Sequence, residues 1–196
     1  SAYQKPAARL PVTEATPLEN RYWEYSRQKI ACERRLMRAF AEDRFPVTIV
    51  RPSLTYGPNQ IPLAMSCWHA PWTLVARLRA GRPLIIPGDG TSIWVITHNT
   101  DFAKGRVGLL GHPRAAGEAF HITSDEVTDW NRHYGAFAAA AGAEPKFVHI
   151  ASEALIRMQP DLEGTLLGDK AQSTWFDNAK IKRFVPEFEC KVNWSE

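Results

Sequence analysis

Cysteine is scarce in this sequence. The three that occur, Cys32, Cys67 and Cys190, are an odd number and none stands in a Cys-x-x-Cys pair. That argues against a disulfide framework or a thiolate zinc site and suits a reducing compartment, with a cytoplasmic location expected. The six histidines show no His-Glu-x-x-His or comparable ligand spacing, so no metal is expected. No apolar run approaches the ~20 residues of a membrane span and the first residues do not read as a secretory signal, so no membrane partner is expected. Net charge is also small, +3 over 196 residues. An excess of that size does not by itself argue for nucleic acid, and the local basic faces at Arg34, Arg35 and Arg38 and at Lys180, Lys182 and Arg183 read as surface charge.

What is present is enough apolar sequence, 44% of the chain, for one substantial core with an appendage. Residues Ser1 to Leu18, with Pro6, Pro11 and Pro17, read as a lead-in loop. Asn20 then stands as a helix N-cap, and Tyr22, Tyr25, Lys29, Cys32, Leu36 and Phe40 recur at helical steps, which predicts an amphipathic helix over 20–40 with that stripe buried. Beyond Pro46, Val47 to Val50 reads as a buried strand, followed by a loop from Arg51 through Pro58 and a long stretch rich in proline and aromatics from Asn59 to Trp72. Further strands are expected at 84–86, 93–97, 119–122 and 146–150. Helices are expected at 73–79, 101–110 and 127–141, with Ser152 capping a short one and a last helix in the tail from Thr174 to Phe188. Strands alternating with helices predict an α/β fold with a largely parallel sheet.

Gly105, Gly108 and Gly111 match the spacing of a dinucleotide-binding turn. They fall inside the helix expected over 101–110 rather than between a strand and a helix, so the match is set aside.

Chemistry concentrates at Tyr25 and Lys29, which project from one helix face one turn apart. A tyrosine in water titrates near ~10 and is a poor base at neutral pH, but a fixed ammonium beside it favours the phenolate. Such a tyrosine can exchange a proton with a substrate hydroxyl. The pair alone is weak, since roughly one random chain in five of this composition would contain it.

Its neighbourhood strengthens it. Tyr25-x-x-x-Lys29 is followed in order by Arg51-Pro52 with Tyr56-Gly57-Pro58, by Gly88-Asp89-Gly90, and by His98 to Asp101 with Phe102-Ala103. This ordered set resembles the extended short-chain dehydrogenase/reductase family of NAD-dependent epimerases and dehydratases, from Ser1 to about Ile122. The resemblance implies the C-terminal portion of a Rossmann-like doubly wound parallel sheet plus a small α/β substrate-binding region. Residues 1–60 would belong to the first and 61–196 mainly to the second, with some segments returning to the sheet.

By the same resemblance, Tyr25 is the acid/base, and Lys29 holds the ribose of NAD or NADP while lowering the tyrosine pKa. Pro52 and Ser53 lie against the nicotinamide end. The family's catalytic serine falls near Ser1. Leu54, Tyr56 and Trp94 occupy substrate positions, with Leu54 in place of a common asparagine and Trp94 in place of an arginine that pairs with substrate phosphate. Loss of that arginine removes a charge-assisted contact of about 1.5–3 kcal/mol. The family's strand and glycine-rich cofactor turn lie about a hundred residues upstream of the serine, so a partner piece supplying that half is expected, along with a homodimer built partly on the 20–40 helix. The implied function is an NAD(P)-dependent epimerase, dehydratase or reductase acting on a sugar nucleotide or related hydroxyl or carbonyl substrate. This chain alone is expected to be inactive. The alternative is an atypical member that binds RNA or serves as a structural subunit.

Overall fold

The structure, a computed structural model, describes residues 2–65 and 70–195. Its longest helix, α1, spans Glu24–Asp43. Asn20 does not cap it directly. Its Oδ1 accepts the N–H groups of Tyr22 (3.2 Å) and Trp23 (3.0 Å), and its Nδ2 donates to Gly168 O at 2.7 Å, so it organises the turn ahead of the helix. Trp23 stays extended, at φ −123° and ψ 112°, and α1 begins after it. At the other end Arg44 takes the left-handed conformation (φ 54°) and the Phe45 N–H reaches back to Ala39 O at 3.2 Å, a helix-ending turn.

The expected buried stripe is also corrected. Ser26 and Ile30 are the buried residues of α1, with Glu33, Met37 and Phe40 partly covered, whereas Tyr25, Lys29, Cys32 and Leu36 are exposed. The inward face is rotated by one position from the one predicted, because Glu33 is drawn into a pair with Arg51. Lys29 therefore does not sit in an apolar stripe.

Among the described residues, four strand pairs follow. β1 (Ile49–Pro52) runs parallel to β6 (Ala119–Ile122), β2 (Leu54–Tyr56) to β5 (Ile96–His98), and β3 (Leu84–Pro87) to β8 (Phe147–Ile150). β4 (Ile93–Trp94) and β7 (Thr128–Asp129) are antiparallel. The remaining helices are α2 (Thr73–Arg79), α3 (Asn99–Leu109), α4 (Trp130–Ala140), α5 (Ser152–Met158), α6 (Leu162–Thr165) and α7 (Ala179–Phe184). The mixed, largely parallel architecture matches the expectation.

Several boundaries do not. Arg51, Pro52 and Leu54 to Tyr56 are strand rather than loop, because each finds a parallel partner. The single strand expected over 93–97 divides at Val95, its two pieces pairing with different strands. Thr128 and Asp129 are taken by β4, so α4 starts only at Trp130, with the Asp129 carboxylate accepting the Arg132 N–H at 2.8 Å. Ser152 is the first helical residue of α5 and makes no cap.

The buried apolar residues form two clusters. One, around Leu63, Leu78, Ile86, Trp94, Trp130 and Tyr134, fills the space between β3, β4, α2 and α4. The other, around Leu109, Phe120, Ile122, Ile181, Val185 and Phe188, packs α3 and α7 against β6. The glycine series is explained there. Gly105 and Gly108 lie within α3, where a Cβ on Gly105 would stand 2.8 Å from Ile122 Cγ2 and one on Gly108 would overlap the Val185 side chain. They permit close helix packing and form no phosphate-binding turn.

A buried polar network ties α1 to the sheet. The Arg51 guanidinium pairs with Glu33 of α1 and donates to the Tyr3 hydroxyl (2.7 Å) and to Glu14 O (2.9 Å). With that oxygen accepting from Arg51, the Tyr3 O–H is directed to His121 Nε2 at 2.6 Å, leaving His121 Nδ1–H for Asp177 O at 3.3 Å. Burial holds the His121 imidazole below its usual range, in keeping with a neutral ring. Burial also opposes the Arg51 cation, but its bonds to Glu33 and Tyr3 more than offset this.

Two substitutions test this packing. Gly108→Ala gains about 1 kcal/mol of helix propensity against an overpacking cost of about 1–3 kcal/mol, and chemical denaturation should record a net loss; a gain would contradict the close approach. Arg51→Met leaves the Glu33 carboxylate without its buried partner and should cost about 3 kcal/mol or more. Unchanged stability would show that the network does not hold the helix.

Candidate functional site

Tyr25 and Lys29 are neighbours on the outward face of α1, with Lys29 Nζ 5.2 Å from the centre of the Tyr25 ring. Tyr25 is 54% exposed, unusual for a large ring on a helix that also carries a buried face. Beside it the Trp23 ring stands 5.0 Å away, centroid to centroid. Trp23 is seated on Gly164 and Gly168: a side chain at Gly164 would collide with its indole and one at Gly168 with its Cβ. The Tyr25 phenol thus has one open side and one walled by an aromatic ring. Its hydroxyl and the ammonium are accessible together, as a proton donor/acceptor beside a cation requires.

The carboxyl ends of parallel strands are where α/β sheets bind ligands. β1 and β6 end together, Pro52 opposite Ile122, and the next residues are polar. Ser53 Oγ lies 2.8 Å from Thr97 Oγ1, which also accepts the Ser124 N–H at 2.9 Å. Pro52 is exposed and Ser53 half-buried at this edge. Leu54 and Tyr56 follow on β2, where Leu54 packs against the Trp94–Trp130 core and the Tyr56 ring meets His98 edge-on at 5.2 Å. His98 caps α3 through Thr100, and Asp101 anchors the chain end by accepting the N–H groups of Lys191 and Val192, each at 2.9 Å. These motif residues therefore serve structural purposes. The expected serine position at Ser1 lies outside the described residues, as does part of the 59–72 stretch.

Trp94 is not at an open surface. It is 4% exposed and stacks on Trp130 at 5.6 Å. The Lys5 ammonium lies 5.4 Å from the centre of its ring. An open concavity of about 540 Å³ is lined by Gly88, Asp89, Ser92, His149 and Gln172, among others; neither Tyr25 nor Lys29 lines it, so its shape alone does not mark the chemistry.

Of the groups expected to meet a dinucleotide, Tyr25 and Lys29 fit its ribose and nicotinamide end, being exposed and adjacent. The glycine series offers no cradle for the pyrophosphate, because Gly105 and Gly108 are inside α3. Sequence reasoning missed Thr97 and Ser124, which have no motif of their own, and Lys5, which reads as a solvated lead-in lysine. It also missed the Arg51–Glu33 pair.

Residues 1–123 match the model of the NAD dependent epimerase/dehydratase family. A 2'-dehydrokanamycin reductase of Streptomyces kanamyceticus is 28% identical over 194 residues, 94% of this chain and 51% of that protein. The chloroplast stem-loop binding protein of 41 kDa b of Arabidopsis thaliana is 34% identical over 104 residues, 52% of this chain and 26% of that protein. Among solved structures, a Bacillus cereus UDP-glucuronic acid 4-epimerase in complex with UDP-glucuronic acid and NAD superimposes with TM-score 0.77 at 22% identity, covering all of this chain and 55% of that one. A Bacillus anthracis dTDP-glucose 4,6-dehydratase in complex with NAD gives 0.74 at 20% identity, covering 99% and 55%. The chain thus spans about half the length of these relatives, or less. The likeness to the two enzymes of known structure establishes a Rossmann-type fold, and the match over residues 1–123 establishes membership: this chain belongs to the NAD dependent epimerase/dehydratase family.

Proposed function

We propose that this chain carries the acid/base and substrate side of an NAD(P)-dependent epimerase, dehydratase or reductase, with Tyr25 as the proton-transferring residue. The observation that carries this reading is the exposed Tyr25–Lys29 pair on α1, set in a chain whose family and structural neighbours are of that kind. NAD or NADP, held when bound, would supply the hydride acceptor or donor. Lys29 would hold the ribose and stabilise negative charge on the phenol oxygen. Tyr25 would pass a proton to or from the substrate hydroxyl or carbonyl oxygen. Pro52 and Ser53 would border the nicotinamide end, Ser53 oriented by Thr97. The pyrophosphate would be held by residues outside those described here. We also propose that the exposed face of α1, with Leu36, and Phe45 just past its end, is covered in the working enzyme by the cofactor half of the fold or by a second copy.

RNA binding is the second reading, favoured by the 34% identity to the stem-loop binding protein. The charges argue against it. Lys180 and Lys182 are paired with Glu118 and Asp125, each at 2.6 Å, and Trp94 and Trp130 are buried. A salt-sensitive gel shift of labelled single-stranded RNA would favour this reading, and no shift at low salt would remove it.

Tyr25→Phe decides the first reading. In the full-length protein it should lower turnover by about 10²–10⁴-fold while leaving the thermal midpoint near that of the parent, because the side chain is exposed. Undiminished turnover would end the assignment.

A further inference from the structure

Trp23 stands outside the core. It belongs to neither apolar cluster and is half-buried, yet its surroundings are shaped to it. An ideal Cβ on Gly164 would overlap its Cδ1, and one on Gly168 would stand 2.9 Å from its Cβ. Glycine is unfavourable in a helical stretch, and these two fall in α6 and in the π-helical turn Leu166–Lys170 that follows. Their lack of side chains leaves room for the indole. Asn20 fastens the same two pieces of chain, its Oδ1 accepting the Trp23 N–H at 3.0 Å and its Nδ2 donating to Gly168 O at 2.7 Å. Lys170, buried as Asp169 and Lys5 are, places its Nζ 5.9 Å from the centre of the Trp23 ring.

The seat matters because of what Trp23 begins. It is the last extended residue before α1, and its side chain makes no cap to the helix. A first turn without a cap has free N–H groups and frays. Tyr25 lies in that turn and is 54% exposed, so the core does not fix its ring. Among the described residues its ring neighbours are the Trp23 indole, 5.0 Å away between centroids and tilted by 41°, and the Lys29 ammonium, 5.2 Å from its centre. Proton transfer requires donor and acceptor within ~2.6–3.2 Å, and a displacement of about 1 Å can cost ~10²-fold in rate. An exposed phenol on an uncapped helix end does not meet that tolerance unaided.

We propose that Trp23 is a positioning residue for Tyr25. Wedged between the glycine turn and the phenol, it anchors the first turn of α1 and leaves the substrate oxygen only the side of Tyr25 away from the indole. This rests on Tyr25 being the proton-transferring residue and adds the contact that keeps it in place. It also makes the 164–170 segment, distant from the Tyr25–Lys29 motif in sequence, part of the support of the reaction.

The test pairs a side-chain measurement with kinetics on the full-length protein. Relaxation of ring-labelled tyrosine gives the order parameter of the Tyr25 ring, its signal identified by its disappearance in Tyr25→Phe. Trp23→Ala should lower that order parameter to below about 0.6, and should lower kcat by about 10–10²-fold with KM little changed. Trp23→Phe, which keeps an aromatic ring in the seat, should restore both. If Trp23→Ala does not fold, Gly164→Ala takes its place: the added methyl displaces the indole without removing it, and the same two losses are expected. An unchanged Tyr25 order parameter, or a loss as large in Trp23→Phe as in Trp23→Ala, overturns the proposal. The Tyr25 assignment is judged separately by Tyr25→Phe. Lost turnover there, with the Tyr25 ring equally ordered with and without Trp23, keeps the acid/base and removes its support.

Discussion

The Arg51 guanidinium holds the candidate site in its shape. It joins four parts of the chain that are distant in sequence: α1 through Glu33, the lead-in through Tyr3 and Glu14 O, its own strand β1, and the neighbouring strand β6 by way of Tyr3 and His121. A cation this enclosed is tolerated only while its partners stay in place. The consequence is a fixed rotation of α1. With Glu33 drawn inward, Ser26 and Ile30 pack beneath and Tyr25 and Lys29 are turned outward together. The two residues proposed to handle the proton and the ribose owe their exposure to a pair one turn and more along the same helix.

Around that helix the chain gathers polar groups on the sides a ligand would occupy. Ser53 and Ser124, just past the carboxyl ends of β1 and β6, meet Thr97 of β5, with Ser53 half-buried and the other two buried. On the other side, Trp23 forms a wall seated on Gly164 and Gly168, and behind it lie the buried lysines. The two apolar clusters keep these sides apart in composition. The one around Phe120 and Val185 backs β6, and the one around Trp94 and Trp130 backs β3 and β5 and reaches the lysine side.

Much of this was legible in the sequence where local pattern and pairing agree. β3, β6 and β8 are short β-branched or aromatic runs bounded by turns, and each is found within a residue or so of where it was expected. The Tyr25–Lys29 spacing needed only helical geometry. What was not legible depends on pairing between distant segments. Nothing local says that Leu54 to Tyr56 will find Ile96 to His98, or that Thr128 and Asp129 will be taken by β4 before α4 can start. The buried face of α1 was misread because Tyr25, Cys32 and Leu36 are apolar enough to suggest a core stripe, while Glu33 looks like solvent until Arg51 is placed opposite it. Lys5 was passed over for a similar reason: its burial comes from Thr174 and Trp94, far along the chain.

The central claim is that the outward face of α1 meets the dinucleotide. A crystal structure of the full-length protein with NAD bound tests it most directly. The account predicts Lys29 Nζ within about 3.2 Å of a hydroxyl of the nicotinamide ribose, with Tyr25 on the nicotinamide side and shielded from solvent. A bound dinucleotide remote from α1, with Tyr25 and Lys29 still open to solvent, would contradict it.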